Sequence, residues 1–146
     1  MTDQQTATAS VSSEETVEFG FPYQGKQSAT LVVRHGPGNA SDVFMYLQKG
    51  QIECSAYSTL GCPVRLRFDS GKPELLNGGP PDDHDSSFVF LPNPSYLIRR
   101  IASATKLRVE VTVYRQGTHV FTFDVAKLDL PKLGMAASPQ KVAETH

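Results

Sequence analysis

The most regular hydrophobic pattern in the chain is strict alternation. Over 63–69, Val64, Leu66 and Phe68 fall on one side while Arg65 and Arg67 fall on the other. Over 106–114, Leu107, Val109, Val111 and Val113 oppose Arg108, Glu110 and Thr112. A period of two with one apolar side predicts antiparallel strands that bury one face and wet the other. His119, Phe121, Phe123 and Val125 repeat the pattern over 118–125. Between the last two runs, Arg115-Gln116-Gly117 predicts a three-residue hairpin loop with a left-handed glycine.

Shorter runs extend the strand pattern. Residues 28–34 are rich in β-branched side chains and end at the turn cluster 35–39. Residues 42–48 follow, and Lys49-Gly50 turns the chain into 51–54, a second expected hairpin. After the 69–72 turn comes a short apolar piece, 73–76, then the longest loop, 77–85, and a return to strand over 86–91. One helix is expected over about 94–104, with Asn93 as N-cap and Pro94 at the first helical position. Tyr96, Leu97, Ile98, Ile101 and Ala104 form its apolar stripe, leaving Arg99, Arg100 and Ser103 to solvent. The sum is an all-β fold: an antiparallel β-sandwich or flattened barrel of about eight strands with one short helix closing an end.

The 146 residues fit one domain. Residues 1–18 and 131–146 are poor in large apolar side chains, which predicts a mobile tail at each end and a folded unit over 19–130. Fourteen basic and fifteen acidic side chains give a net charge of −1, too balanced for a dedicated nucleic-acid or polybasic membrane binder. The basic residues are nevertheless bunched: Arg99, Arg100, Lys106, Arg108 and Arg115 lie close in sequence with only Glu110 among them. They form either a solvated surface or an anionic contact surface. No run approaches the ~20 apolar residues of a membrane span, and no secretory h-region opens the chain.

Cys54 and Cys62 are the only cysteines. A structural disulfide is the expected state, with Tyr57 and Leu60 folding back over the sulfurs; two buried thiols are the alternative. Zinc would need four ligands and a redox pair a C-x-x-C spacing, and neither is here. A disulfide implies an oxidising compartment, so the polar lead is expected to follow a removed signal or lipidated segment. If the thiols are free, the protein is cytosolic instead.

Chemistry has few other footholds. Asp82, Asp83 and Asp85 with His84 form an acidic loop that is either solvated or a weak calcium site, although the alternating ligands and bending glycine of a calcium loop are missing. No nucleophile elbow, phosphate loop or paired-carboxylate context appears, so no catalytic residue is assigned and no cofactor is expected. Arg67 and Asp69 are expected to pair across Phe68 and fix the 69–72 turn. Arg65 and Arg67 together would make a contact ridge, with Tyr57 and His84 on the flanking loops.

Several of these residues together carry a resemblance: Gly50-Gln51-Ile52-Glu53-Cys54, the run from Cys62 through Asp69, Phe88-Val89-Phe90, and the segment from Tyr114 to Val125. Over about 26–130 the chain resembles small exported or lipid-anchored proteins of Proteobacteria. It is more distantly similar to the VasI-type accessory proteins of type VI secretion. The resemblance implies a β-sandwich and an envelope location, and brings no catalytic residues. The expected function is a non-enzymatic protein-binding module of the periplasm or the periplasmic face of the outer membrane, a secretion accessory or an inhibitor or immunity-type protein. The alternative is an envelope protein that binds a small ligand or a divalent cation. Another envelope or secretion-system protein is the expected partner; nucleic acid is not, and any lipid anchor would lie outside this sequence.

Overall fold

The structure is a computed structural model that describes residues 7–23, 25–36, 41–54 and 61–130. Tyr57, residues 1–6 and the expected tail over 131–146 lie outside the described residues.

Two antiparallel four-stranded sheets pack face to face. The first has the order β1 (Ala7–Ser12), β4 (Thr30–His35), β5 (Ser41–Tyr46), β8 (Phe88–Phe90). The second runs β10 (Gly117–Asp124), β9 (Lys106–Val113), β6 (Cys62–Phe68), β7 (Glu74–Gly78). A two-residue pair, β2 (Val17–Glu18) with β3 (Lys26–Gln27), sits apart. One core joins the sheets, Leu31, Val33, Val43, Met45 and Val89 meeting Val64, Leu66, Leu107, Val109, Val111, Phe121 and Phe123. The alternation in β6 is complete: Cys62, Val64, Leu66 and Phe68 are buried, and Pro63, Arg65 and Arg67 are exposed.

Both long seams of the sandwich are bridged by the backbone, which gives it the character of a flattened barrel. On one side Gly79 and Phe90 exchange two hydrogen bonds, 2.8 and 2.7 Å, so the end of β7 reaches β8 of the other sheet. Gly78 makes that approach fit, because a Cβ there would stand 2.8 Å from Phe90 O and from a methyl of Val89. On the other side, Ser13 N–H donates to Ala29 O and Glu14 N–H to Thr122 O, each at 2.8 Å. The chain leaving β1 therefore crosses from the first sheet to the second.

That crossing corrects the reading of a tail for residues 7–18, since β1 pairs with β4 along its length from Ala7↔His35 to Ser12↔Thr30. An edge strand of small residues is held by ladder bonds, with only Ala9 needing burial, and hydropathy does not register it. The expected 42–48/51–54 hairpin does not form either. Gly50, at φ 119, turns the chain away beneath Phe19, and Ile52 bridges Val113 in the opposite sheet. A strand also occupies 74–78, on the edge of the second sheet, part of which read as loop.

The single α-helix of the described residues, α1 (Pro94–Ala102), closes one end of the sandwich with Leu97, Ile101 and Ala102 buried. Asn93 is its N-cap, left-handed at φ 54 and without a side-chain cap bond. Arg100 does not stay wet. Its guanidinium lies 4.3 Å from the Phe68 ring centroid and donates to Glu74 Oε2 at 2.7 Å and to Tyr96 Oη, locking the helix onto β7.

At the opposite end Cys54 and Cys62 form a disulfide that ties the 51–54 crossover to the start of β6. Closing a loop this short removes conformations from the unfolded chain, worth about 2–3 kcal/mol. The double replacement Cys54→Ser/Cys62→Ser is therefore expected to lower unfolding free energy by that amount in urea titrations. Stability unchanged by the replacement would contradict a structural role.

Candidate functional site

The outward face of the second sheet collects the charges that its alternation excludes from the core. Register sets the neighbours. Arg65 stands between Leu75 and Glu110, and Val120 lies beyond Glu110. One step along, Arg67 is directly opposite Arg108, and Arg108 is opposite Thr122. Arg65, Arg67, Arg108, Glu110, Pro73 and Val120 line a shallow groove of about 210 Å³. A second groove, about 190 Å³, continues past Arg65 and Leu75 toward Thr112 and Thr118. Leu75 and Val120 are large apolar side chains left 69% and 43% exposed.

These arginines differ from Arg34 and Arg100 by what they lack. Arg34 reaches Asp42, and Arg100 reaches Glu74, at 2.6 and 2.7 Å. Among the described residues Arg65, Arg67 and Arg108 make no ion pair. Arg67 spends one donor, Nε, on Gly71 O at 3.0 Å, which fixes its stem against the turn. Like charges directly opposed on a sheet face repel, and no carboxylate bridges this pair.

Two carboxylates near the row are committed elsewhere. Glu15 accepts Thr122 N–H and Thr122 Oγ at 2.6 Å each. Burial pushes the Glu15 carboxyl up, but those two bonds and the charge of Arg108 together hold it below its ordinary value. Asp69, left-handed at φ 50, accepts Thr105 N–H, Thr105 Oγ and Lys106 N–H at 3.0, 2.8 and 2.8 Å. Partial burial raises its pKa, and the Lys106 and Thr105 bonds with Arg108 outweigh that and lower it. The expected Arg67–Asp69 pair is thus replaced by two separate contacts, because Asp69 turns away to join the end of β6 to the start of β9.

The acidic loop does not assemble a cation site. Asp83 Oδ1 accepts Asp85 N–H, and Asp85 Oδ1 accepts Ser87 N–H and Ser87 Oγ, at 3.0, 3.0 and 2.7 Å. Bonds from Ser87 lower the Asp85 pKa. These carboxylates cap their own loop, and among the described residues no three His, Cys, Asp or Glu side chains converge as metal ligands. The weak calcium assignment to Asp82, Asp83 and Asp85 is accordingly withdrawn. His84 is exposed at φ 60, its N–H donating to Pro81 O at 2.9 Å, and it lines neither groove.

The bunch of basic residues in the sequence is dispersed in space. Arg100 anchors the helix and Lys106 pairs with Glu14, while Arg115 lies in the turn at the far end. Only Arg108 joins Arg65 and Arg67. Sequence reading placed Arg108 on a polar strand face but had no register to set it beside Arg67, and it assigned Glu15 to a tail.

No protein family, curated protein or solved structure matches the chain. Among the described residues no helix is long and apolar enough to cross a membrane.

The two depressed carboxyls make a pH prediction. Their ordinary values are 4.5 for Glu15 and 3.8 for Asp69, and both lie lower in the folded protein. Their contribution is complete above the unfolded-state values and is lost as pH falls through the folded-state ones. Glu15→Gln should lower stability at neutral pH and flatten its decline in acid. Urea unfolding across pH 7 to 3 checks this; a variant whose acid decline parallels the parent would contradict it.

Proposed function

We propose that this chain is a non-enzymatic protein-binding module of the cell envelope and that it holds its partner on the arginine face of the second sheet. The observation that carries the reading is Arg67 opposite Arg108 with no carboxylate between them. Such a pair is unfavourable in the free protein, and acidic side chains of a partner would relieve it. Exposed Leu75 and Val120 at the flanks supply the apolar contact that a charged row alone lacks. The face belongs to the rigid middle of the sheet, so binding requires little reordering.

The disulfide supports an envelope location, because disulfides persist in oxidising compartments. Within that setting a secretion-system accessory or an inhibitor of an envelope protein fits a β-domain that presents one contact face. The alternative of a small ligand held between the sheets has less to support it, since the residues facing that interior are the apolar side chains of the core.

The test is the double charge reversal Arg67→Glu/Arg108→Glu, at exposed positions that leave the core intact. Cross-linking and co-purification from the native host should recover a stoichiometric envelope partner with the parent chain. The reversed variant should bind that partner about ten-fold more weakly or worse, with the parent's affinity falling as salt rises. Equal binding by parent and variant would remove the arginine face from the interaction.

A further inference from the structure

The end of the sandwich opposite α1 carries aromatic side chains that the core does not use. Phe21 is 88% exposed and Tyr114 is 45% exposed. They belong to two turns that are tied together: Gly20 N–H donates to Gln116 Oε1 at 2.9 Å, and Gln116 N–H donates to Val113 O at 2.8 Å. The turn carrying Phe21 is rooted on both sides. Phe19 is buried edge-on against His119, centroids 5.2 Å apart, and against Tyr23 at 6.5 Å. Tyr23 N–H closes the turn on Gly20 O at 3.0 Å. His119 is held in turn, its Nε2 bonding Gln116 O at 2.9 Å. Phe21 therefore stands on a fixed base with its ring in water.

The second turn places a positive charge at this end. The Arg115 guanidinium lies 5.3 Å from the Tyr114 ring centroid, and among the described residues it forms no ion pair. Lys26, on the strand that follows Phe21, is directly across from Glu18, so those two charges offset. Arg115 is a cation beside the aromatic tip with no ion pair among the described residues.

We propose that this tip docks on the surface of an anionic phospholipid bilayer. Phe21 enters the boundary between headgroups and acyl chains, and Tyr114 with Arg115 lies at headgroup level. Tyrosine and arginine both pair an apolar body with a polar end, which suits that depth, and the guanidinium meets lipid phosphate. The shape favours a fluid surface over a protein pocket. Two short turns are less than the twenty or more residues a side of a typical protein interface, and the two grooves beside Arg65 lie elsewhere, on the outer face of the second sheet. The net charge of −1 denies the protein a long-range pull toward anionic lipid. Attachment is thus short-range and led by the aromatic ring. None of these residues belongs to the arginine face, so the inference stands or falls independently of the proposed partner.

The chain has no tryptophan, which gives a direct test. The Phe21→Trp variant, oxidised and full length, is titrated with vesicles of phosphatidylcholine containing phosphatidylglycerol. Its emission should shift to the blue and rise as the indole leaves water. In flotation with the same vesicles, Phe21→Ala should partition about ten-fold less than the parent. Arg115→Glu should lose binding to the mixed vesicles while barely changing what binds to phosphatidylcholine alone. Indole emission of the Phe21→Trp variant that stays unshifted with vesicles present, or equal flotation of parent and Phe21→Ala, would overturn the proposal and leave the exposed ring to a protein contact.

Discussion

The alternation of β6 and β9 is the constraint on which the rest depends. Each strand gives every second side chain to the core, Val64, Leu66 and Phe68 from one and Leu107, Val109, Val111 and Val113 from the other. Antiparallel register then leaves no freedom about what shares the outward face. Slipping either strand by one residue would bury arginines and expose valines, so the core holds Arg67 opposite Arg108. A like-charged pair is thereby maintained by burial on the other side of the same strands, beside the opposite-sign pair of Arg65 and Glu110. Its energy is small beside that of the core, which is how the fold tolerates it.

Polar residues do the closing. Ser13 Oγ accepts Ala29 N–H at 3.0 Å, Glu15 takes both donors of Thr122, and the Gly78–Gly79 step lets β7 touch β8. The Ser13 bond extends the first sheet while Glu15 and the Gly78–Gly79 step bridge the two seams, and the disulfide and α1 secure opposite ends. The aromatic tip lies outside this framework, and the arginine face touches it only through the charge of Arg108 on Glu15 and Asp69 and the Arg67 bond to Gly71. Replacing their side chains should alter recognition far more than folding.

What was legible in the sequence is what period and spacing encode: the strands around Leu66, Val109 and Phe121, the helix after Pro94, and the pairing of the two cysteines. What was not legible depends on partners distant in the chain. β1 is polar and small, so hydropathy hid it, yet its backbone is fully engaged with β4. The 51–54 segment looked like the return of a hairpin, and only the bridge from Ile52 to Val113, far along the chain, shows where it goes. Arg65 and Arg67 were visible as an exposed ridge; Arg108 was visible too, but as one of a linear bunch that the fold scatters. The acidic loop could be read as solvated or as a weak cation site, because spacing cannot reveal that Asp83 and Asp85 are already bonded to their own turn.

The repulsion between Arg67 and Arg108 is open to direct measurement through a double-mutant cycle. Arg67→Gln, Arg108→Gln and the double replacement are compared with the parent by urea unfolding at low ionic strength. The cycle subtracts the separate effects of Arg67 on Gly71 and of Arg108 on Glu15 and Asp69. A repulsive coupling of roughly 0.2–1 kcal/mol, shrinking as salt is added, is the result expected of a face kept for an acidic partner. A coupling of zero, or an attractive one, would mean that the two arginines are content in the free protein, and the case for an anionic contact on that face would fall.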